Sequence, residues 1–275
     1  MHSNEVTLVT TLLDLKRGTD TGKMFKRSMK EYFDRFNYIL DRGFKMVVFM
    51  PEEFKQHLHI KDDRVTILHM PGSDIANYFP YYERLQEIRT SPLWTKQAKD
   101  IGWLAQSPQA SLPGYDPLVM SKTYMLRDAS ELNPYSTKYF VFVDSGHMCA
   151  GAQDPEYMDV YTEHMDRGYL VTHWPYGTAT EVHGFCDKAM HKYISALSPK
   201  DPFRIVRGGV FGAKHQFIDI VTNVYDIVLG ATLSDGYLGT EENILAIIYA
   251  RFPELFAGYD NNQWGDHGDN CAIFN

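Results

Sequence analysis

Asp144 closes an apolar run, Tyr139 to Val143 in "YFVFVDSGH", and is followed by two small residues and a histidine. In an open α/β sheet, ligands lie outside the carboxyl ends of the strands, so an acid at such an end faces the binding crevice. A carboxylate there can hold a divalent ion or a ribose hydroxyl, and Ser145 and Gly146 leave room for a ligand against the backbone. The plainer use of the same residue is to cap a turn. Glu241 and Glu242 in "GTEEN" form a second group. Adjacent helix residues point about 100° apart, which leaves only one of the two carboxylates facing a crevice directly. Both also suit the positive end of a helix. Gly208 and Gly209 in "RGGVFGAK" permit close backbone approach, and a plain β-turn would use them equally. Their spacing fits neither a Walker loop nor a dinucleotide turn.

The elements that must position these residues follow from the patterning. "VTLVTTLLDL" is β-branched and apolar, as in a first strand buried on both faces, and the polar "KRGTDTGK" after it predicts a loop. Phe25, Met29, Phe36 and Leu40 recur at helical spacing, and Gly43 marks the end of that helix. "FKMVVFMP" and "RVTILHMP" read as strands stopped by Pro51 and Pro71. Strand, helix and strand in close succession predict parallel pairing through right-handed crossovers. The aromatic-rich segment from Ile75 to Ala105 reads as helical and less regular, and "PLVMSKTYMLRDASEL" as a helix that feeds the Tyr139–Val143 strand. "FRIVRGGVFGAK" predicts a strand and a glycine turn, "HQFIDIVTNVYDIVLG" an amphipathic helix closed by Gly230, and "TEENILAIIYARFPELF" a helix capped by Thr240. The stretch 151–202 reads as a helical and loop insertion over one face of the sheet, and the tail from Ala257 as irregular.

The chain has 275 residues, 44% hydrophobic and 23% charged, the composition of an ordinary globular protein. A formal net charge of −8 with no dense Lys/Arg run argues against a general nucleic-acid binder. Three cysteines, Cys149, Cys186 and Cys271, are odd in number and lack metal-site spacing, which points to free thiols in a reducing compartment. "MHSNEVTLVTTLL" carries no cationic region before a long apolar stretch, and no run of some 18 apolar residues appears. The expectation is a cytoplasmic protein without a signal peptide or transmembrane segment, with peripheral attachment to a membrane as its variant.

In their order along the chain, "VTLVTTLLDLKRG", "FKMVVFMP", "SKTYMLRDASELNPYSTKYFVFVDSGH", "GGVFGAK" and "LGTEENILAIIYARFPELF" resemble a GT-A glycosyltransferase, closest to the HtrL/YibB family with its WlaTC-like members. The resemblance implies an α/β fold with a mostly parallel central sheet flanked by helices, spanning 1–275 as one domain with the insertion at about 151–202. It also implies a nucleotide-sugar donor such as a UDP- or GDP-sugar, a glycan acceptor, and Mn²⁺ or Mg²⁺. "VDSGH" falls where those enzymes carry an Asp-x-Asp metal motif, with Gly146 in place of the second acid. Asp144 is then the metal candidate, His267 in "WGDHGDN" completes the shell with Asp266 second to it, and His147 is a weaker ligand. Lys122 takes the place of a basic residue that offsets the donor's diphosphate, Arg17 has a similar claim from the first strand's exit loop, and Thr10 joins them as a donor contact. Gly208 and Gly209 line the donor-sugar side. Glu242, at the position of the usual late acid, is the general base of an inverting reaction, with Glu241 beside it.

Two other readings use the same residues. A metal-dependent hydrolase would draw on Asp144, His147, Asp266 and His267, although no close cluster such as H-x-x-x-H is present. A carbohydrate-binding protein without catalysis would draw on the 14% of Phe, Trp and Tyr, which equally suit an ordinary core.

Overall fold

The computed structural model describes residues 3–16, 28–100, 102–146, 155–174 and 205–260. In chain order the strands are β1 (Val6–Thr11), β2 (Lys45–Met50), β3 (Val65–His69), β4 (Tyr139–Val143), β5 (Tyr169–Trp174), β6 (Ile205–Lys214) and β7 (Phe256–Asp260). The helices are α1 (Met29–Leu40), α2 (Ile75–Tyr78), α3 (Tyr82–Arg89), α4 (Pro92–Asp100), α5 (Pro108–Ser111), α6 (Tyr115–Leu132), α7 (Pro155–Met165), α8 (His215–Ser234) and α9 (Glu241–Arg251). Short 3₁₀ turns join several of them.

The strands form one seven-stranded sheet in the order β3-β2-β1-β4-β6-β5-β7. Its pairings are parallel except at β6, which runs antiparallel to both neighbours. This is an α/β fold with a mostly parallel mixed sheet flanked by helices, the class expected from the sequence. Strands covered on both faces read as continuous apolar runs, because neither side meets water. Along β1 and β4, Val9, Phe140 and Phe142 pack into the layer that holds α6, α8 and α9. The alternate residues Leu8, Val141 and Val143 pack into the layer that holds Phe36 of α1 and Met158 of α7. The period-2 alternation of a strand produces this division directly.

The structure departs from the sequence expectations in four places. Gly208 and Gly209 sit inside the ten-residue strand β6, not in a turn. The glycines mark an irregularity instead: β6 pairs with β5 through Phe211 and then through Arg207, so the residues between them leave that ladder. Gly230 does not end α8, which continues to Ser234. It marks a close crossing, because a Cβ there would meet Tyr81 Oη at 2.9 Å. The start of the tail, Phe256–Asp260, is a strand paired in parallel with β5, a long-range pairing that a short run cannot announce. Within 151–202 only 155–174 is described, and there α7 leads into β5, which lies in the sheet between β6 and β7.

Helix α8, with 20 residues, is long and apolar enough by length and composition to cross a membrane, with 44% of its apolar window buried. Its inner face packs on α6, where the Tyr225 hydroxyl donates to the Met120 carbonyl at 3.1 Å. Cys149, Cys186 and Cys271 lie outside the described residues.

Candidate active site

A cleft of about 220 Å³ opens at the carboxyl ends of β1 and β4. Strand β4 ends at Val143 with all five residues buried, and Asp144 extends the ladder one step by donating its N–H to the Gly209 carbonyl at 3.1 Å. Beyond that step the chain turns at Ser145 and Gly146, and the Asp144 side chain lines the cleft. From α1, Arg35 Nη1 donates to the Gly146 carbonyl at 2.9 Å and fixes this turn from behind.

The reversal of β6 completes the site. Because β6 is antiparallel to β4, with Val210 opposite Val143, its earlier residues Arg207 and Gly208 run past the carboxyl end of β4. Helix α9 begins immediately beside them. The Asn243 side chain accepts the Thr240 N–H at 3.0 Å and sets the first turn. Glu241 and Glu242 then flank one peptide. Gly208 donates its N–H to Glu242 Oε1 at 2.7 Å. A Cβ on Gly208 would stand 2.1 Å from Glu241 Oε1. Both carboxylates line the cleft. The expectation that only one glutamate could face it therefore needs correction: the backbone directions diverge, but both long side chains converge on Gly208 from the first turn.

Lys122 occupies the middle of α6, in which twelve of 18 residues are buried, so it is not a solvated helix lysine. Its ammonium meets Glu241 Oε1 at 2.7 Å, Asp144 Oδ1 at 2.8 Å and the Gly208 carbonyl at 3.1 Å. An ammonium has three N–H donors, and three oxygens take them. The Phe142 ring lies beneath, its centroid 5.6 Å from Nζ. Burial alone would press the lysine pKa down, but Asp144 and Glu241 outweigh it and hold it above the ordinary value. Glu241 shifts upward, through burial first, with Lys122 opposing and the neighbouring Glu242 adding to the rise. Lys122 and Glu241 side chains are 6% and 4% exposed, whereas Asp144 keeps 35%.

The structure thus brings Lys122, Asp144, Gly208, Glu241 and Glu242 together. Gly209 contributes its carbonyl to Asp144 and does not line the cleft. Thr10 is buried and points away from it, while Thr11, on the opposite face of the strand, lines it; the strand's alternation makes a one-residue offset a change of side. Arg17, His147, Asp266 and His267 lie outside the described residues. Arg207 was missed. It lines the cleft, 21% exposed, with Nε 3.9 Å from Glu242 Oε1, and its adjacency to the glycines was the available signal. Tyr115, Leu118 and Val119 from α6 give the cleft an apolar wall.

A divalent ion at Asp144 needs several oxygen or imidazole ligands at about 2.0–2.6 Å. Among the described residues no group of three or more His, Cys, Asp or Glu side chains is placed to hold one. One oxygen of Asp144 and one of Glu241 already meet the Lys122 ammonium. The described residues do not fit a divalent ion.

Comparison with known proteins gives one family and a number of similar solved structures. The family profile described as "Bacterial protein of unknown function (HtrL_YibB)" matches residues 4–274. No curated protein matches. Among solved structures, mouse xyloside xylosyltransferase 1 in its apo form is similar over 98% of this chain and 92% of that one, with 10% identity and a TM-score of 0.49.

Proposed function

This chain belongs to the HtrL_YibB family, and on that footing we propose that it is a glycosyltransferase, moving a sugar from a nucleoside diphosphate donor to a carbohydrate acceptor. One observation carries the reading. Lys122, Asp144, Gly208, Glu241 and Glu242 come from three of the stretches that resemble GT-A enzymes and from four elements of the fold, and all five line one cleft at the carboxyl ends of parallel strands. That is where an open α/β sheet holds its ligands.

In this reading the Asp144 oxygen that Lys122 does not hold accepts a hydroxyl of the donor's ribose or sugar. The apolar wall of Tyr115, Leu118 and Val119 covers the donor and excludes water. Gly208 anchors Glu242 through one oxygen, which fixes the carboxylate as general base. As the acceptor oxygen attacks the anomeric carbon, its proton passes to Glu242, and the bond from that carbon to the diphosphate oxygen breaks. The departing nucleoside diphosphate keeps the electron pair. Arg207, on the wall of the cleft, offsets the charge that develops there. The rate comes from alignment and from fixed charges, with no protein nucleophile.

The test is turnover of a panel of UDP-, GDP-, CDP- and dTDP-sugars with mixed oligosaccharide acceptors, read as released nucleoside diphosphate. The expected result is release from one donor class, abolished in Glu242→Gln. Release from no donor, or undiminished release in both Glu242→Gln and Asp144→Asn, would overturn the reading.

A further inference from the structure

We infer that the Lys122 ammonium is the resident cation of this cleft, seated where a divalent ion would have to bind Asp144, and that Glu241 and Gly208 serve to hold it there. The inference deepens the glycosyltransferase reading by assigning the cation of its donor site, and it rests on that reading only for what the cation serves.

Three oxygens from three elements surround Nζ: Asp144 after β4, Glu241 at the start of α9 and the Gly208 carbonyl in β6. Their distances, 2.7, 2.8 and 3.1 Å, are those of N–H···O contacts; ligands of a divalent ion stand at about 2.0–2.6 Å. The shell is sized for an ammonium. It is also saturated, since the three donors of the ammonium match its three acceptors. An ion bonded to the other oxygen of Asp144 would lie within about 7 Å of this charge and meet its repulsion.

The local sequence is built around the same seat. Only a glycine at position 208 leaves space for Glu241, because a Cβ would strike its Oε1, Cδ and Cγ at 2.1, 2.8 and 3.1 Å. The same residue offers its carbonyl to Lys122 and its N–H to Glu242. Adjacent glutamates of like charge thereby receive different work: Glu241 is the counter-ion of Lys122, and Glu242 is held by the Gly208 N–H. Gly146 at the second acid position of the motif fits this arrangement, since a cation carried on α6 needs no second acid there.

Mn²⁺ binding read by electron paramagnetic resonance tests this without any substrate. The wild-type protein and Asp144→Asn should titrate alike, with no ion held through Asp144. Lys122→Ala should gain a site, with a dissociation constant on the order of 10⁻⁴–10⁻³ M as for sparse oxygen sites, and Lys122→Ala combined with Asp144→Asn should lose it. A wild-type site that disappears in Asp144→Asn would overturn the inference, as would a folded Lys122→Ala that gains none. Should Lys122→Ala fail to fold, the comparison of wild type with Asp144→Asn still decides. In parallel, nucleoside diphosphates should bind the wild type equally in EDTA and in Mn²⁺. Binding that requires Mn²⁺ counts against the inference, whereas no binding in either condition counts against the glycosyltransferase reading alone.

Discussion

Gly208→Ala adds one methyl group at the point where three charged side chains meet. The new Cβ would lie 2.1 Å from Glu241 Oε1 and 2.8 Å from its Cδ, distances at which the carboxylate must move. Gly208 lies outside both ladders, but Arg207 and Val210 on either side of it are paired, so the side chain gives way before the strand. A shift of about 1 Å suffices to break a charge-assisted contact of this length, and the 2.7 Å pair with Lys122 is the one lost. Removing one partner of a buried ion pair costs about 3–5 kcal/mol, and the lower end applies because Lys122 keeps Asp144. Backbone strain adds nothing, since Gly208 is not in the left-handed region. Urea unfolding should show a fall of about 3 kcal/mol with an unchanged m value. Glu241→Ala should cost a similar amount and remove the clash. The double variant should then fall short of the sum by about 2–3 kcal/mol, a large coupling for two residues in contact. Additive losses, or a Gly208→Ala protein within about 0.5 kcal/mol of wild type, the range of an uninvolved site, would refute the geometry.

The two late acids should separate in kinetics and in stability. Glu242→Gln should lower turnover by about 10²–10⁴-fold, the contribution of a general base, with donor binding preserved; Glu241→Gln should chiefly lower stability, and steady-state kinetics beside thermal melts distinguish the two. Asp144→Asn keeps the shape and removes the charge, so it should abolish transfer in a folded protein, with a smaller loss of stability than Glu241→Gln because Asp144 is the more exposed partner of Lys122. Asp116 in the first turn of α6 is fully buried, and burial raises its pKa well above 3.8, with Arg89 opposing and Glu241 adding to the rise. A raised carboxyl stabilises the fold below its unfolded pKa and loses that contribution as pH rises through the folded value. Asp116→Asn should therefore be more stable than wild type at neutral pH, and the difference should vanish below about pH 4, as urea titrations across pH will show.

Much of this molecule was legible in its sequence because strands buried on both faces leave long apolar runs and amphipathic helices leave stripes. β1, β2, β3, β4, α6, α8 and α9 all announce themselves in that way. What could not be read was set by long-range pairing. Nothing near Gly208 says that β6 reverses against β4, yet that reversal carries Arg207 and Gly208 to Asp144. The charged residue types of the cleft were visible, but their wiring was not. Lys122 was expected to address a diphosphate directly, whereas its three donors are taken by protein oxygens, two of them on residues more than 80 positions away. Glu241 and Glu242 look equivalent in the sequence; only the Gly208 peptide between them separates their environments. Thr10 was displaced from the cleft by one position, the smallest error that a strand turns into a change of face.

The central claim is that this cleft holds a nucleoside diphosphate, and calorimetry with UDP, GDP, CDP and dTDP against the purified protein measures it directly. The account predicts saturable binding of at least one of them with a dissociation constant below about 1 mM, lost in Val119→Trp, which fills the cleft, and weakened in Arg207→Ala. Binding of none, or binding unaltered by both substitutions, would contradict it.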